Sequence, residues 1–225
     1  MDFSRVIQQG APLLLDGIKL TIGISVLSIL IGMVIGLFAC LMGMSKSKIL
    51  KAIAAVYVWI IRGTPMLVQA FLVFFAMPQV IQLIIPGFRI VAFQAGVITL
   101  SLNVGAYMSE IFRGGIQAVP HGQTEAARSL GMSQVKTLRR VVLPQAFKIS
   151  IPSIVNQFII TVKDTSILSV IGLGEIVNKA KTYVGSTYQF FATYILVAAF
   201  YLVVISILMV ISKQVEKKFS YDKQS

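Results

Sequence analysis

Charge is what this chain has least of. Only 12% of its 225 residues are Asp, Glu, Lys or Arg, against 56% hydrophobic, and mean hydropathy is +0.86. A soluble domain carries roughly 25% charged residues to cover its surface, so this composition excludes one. Cysteine is nearly absent too. Cys40 alone can form neither an internal disulfide nor a thiolate metal cluster. Leu37-Phe38-Ala39-Cys40 faintly resembles a lipoprotein cleavage site, but the apolar run before it is too long and the charges follow it. Cys40 is read as a small residue facing lipid or a helix. The single histidine, His121, lies in a loop, and no metal site is expected. No G-x-x-x-x-G-K-[ST] phosphate loop occurs, and Gly43-Met44-Ser45-Lys46 has the wrong spacing for one.

What the chain does have is long apolar runs. No charge occurs from Leu20 to Ser45, from Gly63 to Phe88, from Ile90 to Ser109, or from Thr182 to Ser212. A bilayer core takes about 20 apolar residues per helix, so each window holds one span. A fifth stretch, Ile149 to Leu173, is interrupted by Lys163 and Asp164. The expectation is a single all-α membrane domain over 1–225, with five spans near 17–44, 53–77, 91–112, 150–172 and 189–212. In the first span Ser28, Gly32 and Gly36 recur every four residues, spacing that lets helix backbones approach closely.

Net charge is +12, which could signal nucleic acid, but the basic residues lie between apolar blocks and not in a stripe with interleaved aromatics. Connections 46–51 and 113–148 and the tail from Lys213 carry thirteen Lys and Arg, against four on the other side (Arg5, Arg89, Lys179, Lys181). Positive residues collect in the cytoplasm, so the N-terminus is placed outside and the C-terminus inside. Phe3, Val6, Ile7, Leu13 and Leu14 share a helical face, which suits either a short amphipathic helix on the outer surface or an ordered terminus with no role of its own. Tyr183, Tyr188, Phe190 and Phe191 fall where the last span meets the outer interface, as an aromatic belt would.

The most informative segment is the basic connection 113–148. Gly114, Gly115 and Pro120 are expected to stop the third span. A short helix then opens near Gln123 or Thr124 and ends at Gly131. Such an element buries little within its own chain and is shaped to plug into a partner. Glu125, Ala126, Ala127 and Gly131, followed by Val141, Leu143 and Pro144, resemble the EAA loop of bacterial ATP-binding-cassette importer permeases. Val141 stands where the family usually has isoleucine. Arg62-Gly63-Thr64-Pro65, Asn103-Val104-Gly105-Ala106-Tyr107, Glu110-Ile111-Phe112-Arg113-Gly114-Gly115 and Lys163-Asp164-Thr165-Ser166 are similar to the polar amino-acid permease branch.

The resemblance implies a type I importer permease fold in a bacterial cell membrane, with the short helix coupling to a separate ATPase. It implies that ATP and Mg bind that partner and that this chain holds no cofactor. It also implies an ATPase dimer, a second permease copy or homologue, an extracellular solute-binding protein and a small polar amino acid as substrate. Glu125 would either cap the coupling helix through its dipole or pair with a basic residue of the partner.

Polar residues inside the spans are the other candidates. A charge at the bilayer centre costs about 2.5–3.5 kcal/mol on insertion scales, so Arg62 must face protein or water. It either lines a translocation path or pairs with Asp164 or Glu110. Lys163 and Asp164 point about 100° apart on a helix, so one faces a pathway while the other pairs, or else the helix ends there and Thr165 to Leu173 is re-entrant. Thr64 lies in the glycine- and proline-weakened stretch beside Arg62. Gln69, Asn103 and Gln157 bond other helices or contact substrate. A secondary carrier would call for inverted repeats, which are absent, and a membrane enzyme would need an acid–base group that the sparse carboxylates do not supply.

Overall fold

A computed structural model describes residues 3–219, and its long helices follow the apolar runs. Helix α1 is Phe3–Met44, α2 is Lys48–Gly63, α3 is Met66–Gln82 and α4 is Ala92–Gln117. Helix α5 is His121–Ser129, α6 is Gln134–Ile171, α7 is Ile176–Thr187 and α8 is Phe190–Phe219. Helices α1, α4, α6 and α8 are each long and apolar enough to cross a bilayer. The α2–α3 pair passes the same test only as a unit, bent by 105°. Counting it as one crossing gives five spans. It also joins the basic connection at Lys48 to the outer start of α4, which returns to Arg113 on the cytoplasmic side.

Three prolines sit inside helices behind the same device. Pro12, Pro78 and Pro144 each follow a wider π turn, at Val6–Gly10, Leu72–Ala76 and Leu138–Val142. Proline lacks an N–H and its ring presses on the carbonyl four residues back. In each case that carbonyl lies mid-way in the π turn, where the widened backbone makes room. The helix continues without a break.

The bundle is built on the α1–α4 seam. A Cβ at Gly32 would lie 2.5 Å from the Val104 side chain, and one at Gly36 would lie 2.5 Å from Met108 Cβ and 2.8 Å from the Gly105 carbonyl. Only glycine permits this approach, as the small-residue spacing predicted. Around the seam Ile29, Cys40, Val104, Met108 and Phe112 form one buried cluster. Towards the outside, Ile24, Ala70, Ala95, Leu100, Leu168, Ile171 and Leu173 form another. Cys40 therefore faces helix and not lipid.

Three expectations change and two open alternatives close. The first residues form no separate surface helix: Val6 packs with Tyr183 and Ala192, and Leu14 with Ile176, Ala180 and Val197, so α1 runs unbroken from Phe3. Tyr183 is buried and leaves the proposed aromatic belt, while Tyr188, Phe190 and Phe191 are exposed. Gly114 and Gly115 do not stop the third span; α4 runs to Gln117, because Gly115 seats against Ala146 and Ser150 of α6. The span around 150–172 begins much earlier, at Gln134, since Pro144 is absorbed by its π turn. Past Asp164 it tightens into a 3-10 helix, Thr165–Ile171, and ends at Gly172 with φ +79, so no separate re-entrant piece forms. Lys223, counted in the tail, lies outside the described residues.

Candidate functional site: bend, cleft and coupling tip

The bend between α2 and α3 places four of the predicted residues. Gly63 ends α2, and Thr64 and Pro65 are extended. Pro65 has no N–H for the Ile61 carbonyl, and an unsatisfied carbonyl at membrane depth costs several kcal/mol. Side chains replace the missing donors. Thr64 Oγ1 donates to the Ile60 carbonyl at 2.8 Å. Gln69 Nε2 donates towards the carbonyls of Ile61 (2.7 Å) and Thr64 (3.0 Å) and towards Thr64 Oγ1 (3.0 Å). Asn103 Nδ2 in turn donates to Gln69 Oε1 at 3.3 Å, linking the bend to α4. Thr64, Gln69 and Asn103 are thus engaged with one another and with backbone.

Arg62 closes α2 beside this knot. Its guanidinium lies 3.4 Å from Glu110 Oε2 and stacks over the Tyr107 ring at 5.4 Å. Of the two partners expected from sequence, Glu110 is the one it meets. Arg113 pairs with the same carboxylate. The Arg62 side chain is 44% exposed, so the pair fixes position more than it adds stability.

Next to it opens a cleft of about 360 Å³. Tyr107, Glu110 and Ile111 of α4 form one wall, Pro152, Ser153, Asn156 and Gln157 of α6 another, and Glu216 of α8 borders it. Gln157 is 5% exposed and its side-chain amide meets no hydrogen-bond partner among the described residues. Seven-residue spacing sets Asp164 above Gln157 and Lys163 above Asn156, roughly 10 Å further along α6. Neither Lys163 nor Asp164 forms an ion pair with another helix among the described residues, and neither lines the cleft. Ser153, Asn156 and Glu216 were not singled out from sequence. The i, i+3, i+4 polar run on an otherwise apolar helix was the signal for the first two. Glu216 gave none, being one charge in a charged tail.

The cytoplasmic tip is α5. It starts at His121, earlier than expected, because Pro120 at the preceding position closes the first turn through its carbonyl to Gln123 N–H (3.0 Å). It ends as expected at Gly131, which has φ +79. Met132 N–H bonds the Ala127 carbonyl (3.2 Å) and Gly131 N–H that of Arg128 (2.9 Å), the double closure of a Schellman turn. Ala127 faces inward, whereas Glu125 and Ala126 are exposed. Glu125 makes no contact that would cap the helix among the described residues. Leu143 and Pro144 lie just past the π turn of α6, where Val142 and Ala146 pack on Val119 at the base of the tip. Leu130, between α5 and α6, and Val135, in the first turn of α6, are 84% and 75% exposed, and no described residue covers them.

At the outer end the structure adds an element that sequence reading left as loop. Helix α7 is capped by Glu175, whose carboxylate accepts from Val177 N–H (2.9 Å) and Asn178 N–H (2.6 Å) while fully buried. Lying in the connection between spans, Glu175 has its pKa pushed up to about 7, because burial outweighs those two hydrogen bonds and the nearby Lys181 charge. Ile176, Ala180, Tyr183 and Val184 form its buried stripe, a helical period that was there to be read.

Residues 28–221 match the family described as binding-protein-dependent transport system inner membrane component. The chain belongs to that family. It is 40% identical to the arginine transport system permease protein ArtQ of Bacillus subtilis, over 97% of each chain. It is 41% identical to the L-cystine transport system permease protein TcyB of the same organism, over 92% of this chain and 86% of the relative. A solved structure described as an amino acid ABC transporter with histidines superposes with TM-score 0.90 at 39% identity, covering 97% and 99% of the two chains. The protein is thus a multi-pass permease subunit with the type I importer fold. Its family works with a solute-binding protein and an ATPase.

Proposed function

We propose that this permease forms the path by which a polar amino acid is imported at the expense of ATP hydrolysed by a separate subunit. The observation that carries the reading is α5, a capped nine-residue helix that presents Glu125, Ala126 and the exposed Leu130 away from the bundle. It docks into an ATPase subunit, which holds the ATP and Mg. Glu125, Ala126, Ala127 and Gly131 form the handle, and Leu143 and Pro144 brace its base through the π turn of α6. A rigid helix at a bend converts the partner's movement into movement of α4 and α6, between which it is strung.

The substrate path follows the polar face of α6. Asp164 and Lys163 lie along it, Gln157 opens into the cleft, and the Arg62–Glu110 pair stands at the cleft wall. An amino acid carries both charges, so a path with one carboxylate and one ammonium, neither paired to another helix among the described residues, suits it. Relatives named for arginine and for cystine support the polar amino-acid class. A chain of five spans closes around such a path with a second copy or a homologue, with two ATPase subunits beneath and a solute-binding protein delivering from outside.

The test is purification of the intact complex from its native membrane, followed by reconstitution in liposomes with a panel of labelled amino acids. The expected result is a co-purifying ATPase whose activity rises with one amino acid and its binding protein. Full-rate uptake by this chain alone, without ATP, would overturn the proposal.

A further inference from the structure

The bend between α2 and α3 contains a mismatch in hydrogen-bond arithmetic. The Gln69 amide carries two N–H donors. It faces three oxygens within 3.0 Å: the Ile61 carbonyl, the Thr64 carbonyl and Thr64 Oγ1. Chemistry fixes the orientation of the amide. The reverse orientation would set its oxygen against those acceptors and its nitrogen against the Asn103 amide group. One acceptor is always left short of a full hydrogen bond, so the amide can pass a donor from one oxygen to another without leaving its place. The donor and its acceptors lie on opposite sides of the break: Ile61 is in the last turn of α2 and Thr64 sits in the break, whereas Gln69 itself is on α3. Gln69 is 7% exposed and does not line the cleft, so it holds the backbone and does not contact cargo.

We propose that Gln69 is the positioning residue of the second span: its shared amide donors hold the break at Thr64–Pro65 bent, let the angle change at low cost, and thereby place Arg62 against Glu110. The proposal deepens the importer reading and rests on it for its consequence in transport. The bend itself can be measured without that reading. Arg62 lies two residues before Thr64, and the Asn103 contact ties the same amide to α4, the helix that carries Glu110. A span that breaks in mid-membrane with its carbonyls served by one movable donor is suited to rocking, because neither end of the movement leaves a bare carbonyl.

The experiment places spin labels at Ile53→Cys and Val80→Cys in a Cys40→Ala background, in the full complex in liposomes. Both positions are exposed. With the observed bend of 105°, helical rise puts the two backbones about 25 Å apart, against about 40 Å for a straight helix. The unsubstituted Gln69 should give one main distance at the short end. Gln69→Leu should raise the extended population by roughly three- to tenfold, the change expected when a hydrogen bond of ordinary net strength is lost. Gln69→Glu, which sets a carboxylate against three acceptor oxygens, should raise it more. Gln69→Lys, which keeps the donors, should stay near the original distance.

With labelled L-arginine and L-cystine as probes, the Leu variant should lose turnover per assembled complex, with KM within about twofold because no cleft residue is touched. A role in packing alone would lower the amount of complex and leave turnover intact. Unchanged distances in the Leu variant, or Lys and Glu variants that cannot be told apart, would overturn the proposal. Failure to transport either probe while the distances shift as stated would count against the importer reading and leave the hinge standing.

Discussion

The α1–α4 seam and the α5 tip are held by opposite means. The seam is a long contact in which glycines bring two backbones together and dispersion acts along its whole length. The tip hangs from a few buried side chains, Val119, Ala127, Val142 and Ala146, and from the hydrogen bonds of one left-handed glycine. A rigid seam and a thinly attached tip are what a lever needs, since force entering at the tip should move α4 and α6 without shearing the bundle. The outer end repeats the contrast on a smaller scale, with α7 fixed by a buried carboxylate cap.

The largest effect that sharpens this contrast is expected at the seam. Gly36→Leu drives a side chain into Met108 and the Gly105 carbonyl, an overpacking that costs about 1–3 kcal/mol and often more against backbone. Thermal unfolding in detergent should show a clear loss of stability and a falling yield of assembled protein. Gly114→Leu is the control, since a Cβ there meets nothing within 4 Å. Equal loss in both would deny the seam its special status.

Next comes the tip. Gly131→Val places a β-branched residue at φ +79, which costs about 1–2 kcal/mol at that turn. Membrane insertion and ATP hydrolysis should persist while uptake falls roughly 5- to 150-fold, the loss of a coupling of about 1–3 kcal/mol. Gly131→Asn should fall between, because asparagine tolerates the left-handed region. Undiminished uptake in the valine variant would mean that the tip transmits nothing.

Arg62→Ala tests the bend beside the cleft. Glu110 keeps Arg113 and the pair is partly exposed, so stability should change by less than about 1 kcal/mol. Uptake should drop while assembly stays normal. Normal uptake would remove Arg62 from the path.

The last effect is a dependence on pH, at Glu175. Its carboxyl in the folded protein titrates near 7, above the ordinary 4.5. The folded state therefore binds more protons than the unfolded state between those values, and stability is greatest below that window and declines as pH rises through it. The midpoint of thermal unfolding should fall from pH 5 to pH 8, and Glu175→Gln should flatten the slope. A slope identical in the Gln variant would place the titrating group elsewhere.

Much of this was legible in the residues. Four charge-free windows, the apolar stretch around Lys163 and Asp164, and the one-sided Lys and Arg pointed to five crossings and their direction, because burying charge in lipid is costly. Ser28, Gly32 and Gly36 announced the seam, and Glu125 to Gly131 announced the tip with its glycine stop. The misses share a cause. Gly114 and Gly115 were read as local stops and the first and fourth spans were started near 17 and 150, yet α4 and α6 pack tightly enough to carry the glycines through, and π turns let α1 and α6 run on past Pro12 and Pro144. The cleft was half legible. Glu110 and Gln157 stood out as polar residues in apolar surroundings, while Glu216 reaches the site only because α8 folds back beside α6.

By itself the sequence determined the solvent this protein lives in, how often it crosses it, and which short segment stands off the bundle at a glycine stop. These follow from transfer free energies and turn chemistry that act over a few residues. Only the tertiary structure decided that Arg62 pairs with Glu110, that Gln69 serves a carbonyl eight residues back, and that the second span bends by 105°. Those depend on which distant group arrives within hydrogen-bonding reach, and no local preference fixes that.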